Sequence, residues 1–178
     1  MLKNLLIFRL IILNSLGALG LVWLFLSGEI EKYYQADTTY IAIVTCVLFL
    51  LGLVMLFIRA VKISLLWNKI KRNVYVPLDV DKFKAKTIPL FGWSNQIVNM
   101  GFLGMLLGLS RAMVGMQRAL SSSGNMAVSM SEGINVAITT SIVGTGLGIW
   151  FELNLMMVAV AMECMFADYR TMMKGRKS

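Results

Sequence analysis

The sequence predicts an all-α membrane protein of four transmembrane helices, with both termini on the cytoplasmic side. Three observations lead there. Hydrophobic residues make up 58% of 178 residues against 15% charged, with a mean hydropathy of +0.75. A water-soluble chain of 19.8 kDa has too high a surface-to-volume ratio to hide that much apolar surface. Four apolar runs approach or exceed the roughly 20 residues that cross a bilayer, and at that length in lipid only a helix satisfies its own backbone. The net charge of +8 is concentrated in particular segments and reports orientation rather than nucleic-acid binding.

Residues 1–58 hold the first two spans, about 10–26 and 39–58. Lys3 and Arg9 ahead of the first apolar core imitate a secretory signal. That core is too long and no A-x-A cleavage site follows, so it reads as a retained anchor. Residues 59–96 form a basic segment carrying eight Lys/Arg. Its first part, Arg59 to Arg72, interleaves cations with Ile63, Leu65, Trp67 and Ile70 and looks like the second helix continuing past the membrane. Contact with acidic lipid or an acidic partner and plain positive-inside topology both account for those cations. Pro89 and Phe91-Gly92-Trp93 predict a bend and an aromatic interfacial anchor.

Residues 97–162 form a transmembrane hairpin, with spans at about 97–116 and 133–162 joined through a flexible linker, Ser121 to Asn125. Ser129 and Glu132 have capping-box spacing, which predicts the start of the fourth helix there. Residues 163–178 are a basic tail with Arg170, Lys174, Arg176 and Lys177. The loops after the first and third spans carry little positive charge, and this asymmetry sets the N-in, C-in topology.

The chain has no histidine, which excludes a Ser-His-Asp triad, an HExxH zinc site and a histidine proton shuttle. Cys46 and Cys164 lack metal-ligand spacing and read as small buried hydrophobes. The fourteen methionines read as adaptable packing residues. Neither a catalytic residue, a metal ligand nor a cofactor is expected, and an enzyme is not.

Small residues carry the pattern in the hairpin. Gly101, Gly104, Gly108, Ala112 and Gly115 recur at steps of three and four in the third span and fall on one stripe at 100° per residue. The fourth span repeats the device with Gly133, Ala137, Thr140, Ser141, Gly144 and Gly148. Such faces let backbones approach closely in lipid, either against each other as an antiparallel hairpin or around a narrow shared interior. Ser141, Thr145, Gly148 and Glu152 form a second, polar line down the fourth helix, flanked by Thr140. Hydroxyls in a span often bond back to the preceding turn. A line ending in a carboxylate asks for water or a partner, because an intramembrane charge is costly. Glu152 also lies near the boundary, where solvent can reach it. Arg111 interrupts the third span, where pairing, snorkelling and a charged ring are all open to it.

The run G-F-L-G-M-L-L-G, Gly101 to Gly108, resembles the glycine core of the MotA/TolQ/ExbB proton-channel family. G-I-N-V-A-I-T-T-S-I-V-G-T-G-L-G-I, Gly133 to Ile149, resembles that family's last helix, and Val143 to Ile149 is closest to the MotA version. Met105 stands where members often have threonine, and Val98 and Trp150 lie near positions where they carry proline. The basic segment is much shorter than the MotA domain that grips a rotor.

The resemblance implies a homopentamer around the helices of a single-span MotB/ExbD/TolR-like partner bearing an intramembrane aspartate, in a bacterial inner membrane. It implies an ion-channel-forming subunit that couples proton or sodium flow to mechanical work. The ion path would run by Thr140, Ser141, Thr145 and Glu152, with Gly101, Gly104, Gly108, Ala112, Ala137, Gly144 and Gly148 on packing or partner-facing surfaces. The lipid bilayer is a further partner and nucleic acid is not. The competing expectation is a non-conducting tetraspan scaffold built from the same glycine faces.

Overall fold

A computed structural model describes residues 5–28, 40–72, 74, 77–122 and 126–175. The described residues are helical with no strand: α1 (Leu6–Leu26), α2 (Ile41–Lys71), α3 (Val80–Ala85), α4 (Ile88–Ser122) and α5 (Met126–Gly175). All but α3 are long and apolar enough to cross a membrane. The chain is an all-α, multi-pass membrane protein.

Its helices run further than the apolar runs that announce them. At 1.5 Å per residue, the 31 residues of α2 span about 46 Å and the 50 residues of α5 about 75 Å, against about 30 Å of hydrocarbon. The chain turns at residues 86–87, just ahead of Pro89, which sits second in α4, in the first turn, where its missing N–H costs nothing. Ser129 and Glu132 lie inside α5, which already runs from Met126. Good helix formers, Met126 and Ala127, carry the helix upstream of that apparent cap. Ser121 and Ser122 are helical, and the rest of the expected linker, residues 123–125, lies outside the described residues.

The α4–α5 hairpin is the main interface; α2 packs on both its helices, and α1 packs on α2 and α5. Large side chains seal the outer joints. The indole of Trp93, expected at the membrane boundary, instead turns into the bundle and donates to the Leu48 carbonyl at 2.9 Å. It lies across Gly52, where an added Cβ would meet its Cδ1 at 2.5 Å. Trp150 packs over Gly17 and against Phe49, with ring centroids 5.4 Å apart. Phe151, Ile97 and Val158 close the centre, each fully buried. Cys46 and Cys164, expected to be buried, are instead free and exposed on the outside of the chain.

Contacts between helices continue at the basic end. Arg59 is committed internally: Nη2 donates to the Phe83 carbonyl at 2.8 Å and Nε to Thr87 Oγ1 at 3.1 Å. Its guanidinium lies 4.4 Å from the centroid of the Phe83 ring, which meets Phe166 edge-on at 5.9 Å. This clasp ties α3 to α2 and α5. Asp79 caps α3 by accepting from Lys82 N at 3.0 Å. That backbone N–H, with smaller help from the lysine side chain, holds the carboxyl below its ordinary range. A depressed carboxylate stabilises above its unfolded pKa and ceases to as pH falls through the folded one. Protection of the Val80–Ala85 amides, taken relative to their intrinsic exchange rate at each pH, is therefore expected to fall on acidification below the usual carboxylate range, and to do so less in Asp79→Asn.

The glycines at the α4–α5 contact yield a second expectation. A Cβ at Gly108 would stand 2.5 Å from Ala137 N and 2.8 Å from Gly133 O, both backbone, whereas nothing lies within 4 Å of one at Gly20. Overpacking of this kind costs about 1–3 kcal/mol. Thermal unfolding in detergent should show a clearly lowered midpoint for Gly108→Ala and none for Gly20→Ala.

Candidate functional site

The two glycine stripes meet each other. Hypothetical Cβ atoms measure how close the backbones come: 2.7 Å from Gly101 to Gly144 Cα, and 2.6 Å from Gly104 to Thr140 Cβ. Gly133 faces Ala112 at the next level, 2.6 Å from its Cα, and Gly148 takes the side chain of Val98 at the other end. Gly101, Gly104, Gly108, Ala112, Ala137, Gly144 and Gly148 thus all lie buried in one intrachain seam. Val98 and Trp150, near the expected proline positions, are both packing residues here, filling the spaces over Gly148 and Gly17.

The four residues of the expected ion path separate into two environments. Thr140 is sealed in the seam at 1% exposure. Its hydroxyl bonds back to the Val136 carbonyl at 2.9 Å and reaches the Ala137 carbonyl at 3.3 Å, so its donor is spent within its own helix. Ser141, turned 100° from Thr140, is half-buried, and Thr145 and Glu152 are exposed. These three run down the outer edge of the hairpin, with Gly148 between them tucked inward. The helical step accounts for the split: Thr140 falls on the side that meets Gly104 and Ser141 is turned past it, while Thr139, on the other side of Thr140, is buried as well. Arg111 is exposed on α4, one residue before the buried Ala112.

A polar contact outside the sequence expectations joins α1 to α5. Asn14 Nδ2 donates to Asn154 Oδ1 at 2.7 Å and to the Leu10 carbonyl at 2.8 Å. Asn154 Nδ2 in turn donates to the Trp150 carbonyl at 3.0 Å, and Asn154 is fully buried. The signal was present, since an asparagine inside an apolar run carries the same demand for a partner as a hydroxyl or carboxylate. Glu152, two residues from Asn154, lies at about the same depth but outside the bundle.

No family model matches the chain, and comparison with curated proteins and with solved structures finds no match either.

The amide pair is expected to behave as a coupled unit. Asn14→Leu and Asn154→Leu should each lower the unfolding free energy in detergent, while the double variant should lose less than their sum. A double-mutant cycle should give a coupling of about 0.6–1.7 kcal/mol.

Proposed function

We propose that this protein is the ion-channel-forming subunit of a proton- or sodium-driven energiser of the MotA/TolQ/ExbB type. It would sit in a bacterial inner membrane with both termini in the cytoplasm, as five copies around a dimer of single-span partners whose aspartate carries the ion. The observation that carries the reading is the exposed polar edge of α5. Ser141, Thr145 and Glu152 remain outside the seam within a membrane-spanning helix. Polar and ionised groups facing lipid there are costly and ordinarily face protein or water. A neighbouring copy or an inserted helix meets that demand, and the hydroxyls then line the interface where an ion crosses. The motif runs support the same reading, because Gly101 to Gly108 and Gly133 to Ile149 form the hairpin beside that edge. A partner helix would approach along the Ser141–Thr145 edge, since the seam is filled by the chain itself.

A second reading rests on that same filling. With glycine packed on glycine and Thr140 bonded back to its own helix, the hairpin is also a sufficient design for a non-conducting tetraspan scaffold. Two measurements separate the readings. Native mass spectrometry of the complex from its native membrane should show five copies with two of an aspartate-bearing single-span protein. A Ser141→Val/Thr145→Val variant should assemble alike but lose ion flux in proteoliposomes. A homo-oligomer of another order with no partner, or undiminished flux in the variant, would hand the assignment to the scaffold.

A further inference from the structure

At the basic end, α1 stops while α2 and α5 continue, and the step between them is hollow. The cavity there holds about 450 Å³ and is walled by Leu5, Arg9, Trp67, Lys71, Met156 and Val160, among others. Two cations therefore flank one apolar-walled notch. Arg9 and Lys71 enter no ion pair among the described residues. Lys71 lies with Nζ 4.5 Å from the centroid of the Trp67 ring, and that indole is itself fixed by donation to Asp168 Oδ2 at 2.6 Å. Asp168 accepts that bond with one carboxylate oxygen and does not line the cavity.

The level of the notch follows from helix length. The 21 residues of α1 measure about 31 Å, close to the thickness of the hydrocarbon. Its Leu5–Leu6 end accordingly marks one hydrocarbon boundary, and Arg9, one turn in, reaches that boundary by extending its side chain. Trp67 is the side-chain type that prefers the same level. The cations thus lie where lipid phosphates lie, above walls where Leu5, Met156 and Val160 are 58%, 61% and 59% exposed.

We propose that this notch is a specific site for an anionic phospholipid, with its phosphate between Arg9 and Lys71 and an acyl chain along Met156 and Val160. The inference is independent of ion conduction and holds equally for a scaffold. A free phosphate shares the headgroup chemistry but gains nothing from the apolar walls, whereas a lipid uses both.

The test adds dioleoylphosphatidylglycerol, dioleoylphosphatidylcholine or inorganic phosphate to the full-length protein in detergent and reads binding by native mass spectrometry. Wild type should take up phosphatidylglycerol in preference to phosphatidylcholine. Removing both cations in Arg9→Gln/Lys71→Gln should weaken phosphatidylglycerol about thirtyfold, at about 1 kcal/mol for each basic residue. Arg9→Lys/Lys71→Arg should retain binding, and so should Arg170→Gln/Lys174→Gln, which removes equal charge elsewhere. Val160→Trp, which fills the apolar wall and leaves the charges in place, should also lose the lipid. Equal binding of the two lipids, unchanged affinity in Arg9→Gln/Lys71→Gln, or undiminished binding by Val160→Trp would overturn the site. Equal loss in Arg170→Gln/Lys174→Gln would reduce it to diffuse attraction and overturn it too. Displacement of the lipid by millimolar phosphate would overturn the lipid as its natural occupant.

Discussion

The rest of the structure depends on how closely the backbones of α4 and α5 approach. In lipid, apolar side chains gain little by leaving the solvent, so helices are held by short-range packing and by hydrogen bonds. Dispersion falls steeply with separation, and only residues without bulk permit the separation seen between Gly101 and Gly144. Once those two helices are joined, the outer helices are added by the opposite device, a large side chain laid over a small one. Trp93 covers Gly52 and Trp150 covers Gly17, so α2 and α1 are seated by indoles. The glycines therefore serve two geometries, backbone against backbone at the centre and ring against backbone at the periphery.

Polar groups within the spans are handled in three ways. Thr45 and Thr140 return their hydroxyl protons to the carbonyl one turn back, at 2.8 and 2.9 Å, which makes them indifferent to neighbours. Asn14, donating to Asn154, and Trp93, donating to the Leu48 carbonyl, bond across helices and fix which elements touch. Thr145 and Glu152 are left facing outward. The first two classes place their donors within a single copy of the chain, although Thr139 Oγ1 and Asn14 Oδ1 are buried there without a partner. The third class makes one copy incomplete as a membrane object, and the case for an assembly rests on it.

The apolar runs and charge asymmetry made the four long helices legible in the sequence, and the three-and-four spacing made the small-residue stripes legible. The rotation of α5 was not. Thr140 and Ser141 both border small residues, so pattern alone gives either one a claim to the seam; the fit of Thr140 over Gly104 decides it. Helix ends were obscured for a related reason. The Ser129–Glu132 pair is a local signal that the helix propensity of Met126 and Ala127 outweighs, whereas Pro89 does stand at a helix start. The six residues of α3, Val-Asp-Lys-Phe-Lys-Ala, are too short and too charged for periodicity to register. Their placement comes from Arg59, 24 positions before Phe83 in sequence. The amide pair failed to register because its partners lie 140 residues apart, beyond any local window.

The length of α5 has a mechanical meaning. One uninterrupted helix carries the seam with α4, the amide link to α1 and, beyond them, Phe166 and Asp168 at the basic end. No loop divides these stations, so they move as parts of a single lever. Over a rod of about 75 Å, a tilt of about 10° pivoting at one end sweeps the other through on the order of 13 Å. With the pivot at Met126, the same tilt moves Gly144, about 27 Å from that end, through about 5 Å, so the rod turns only if the glycine seam slides or parts with it. The clasp of Phe83 on Phe166, farther along, would feel a larger displacement still.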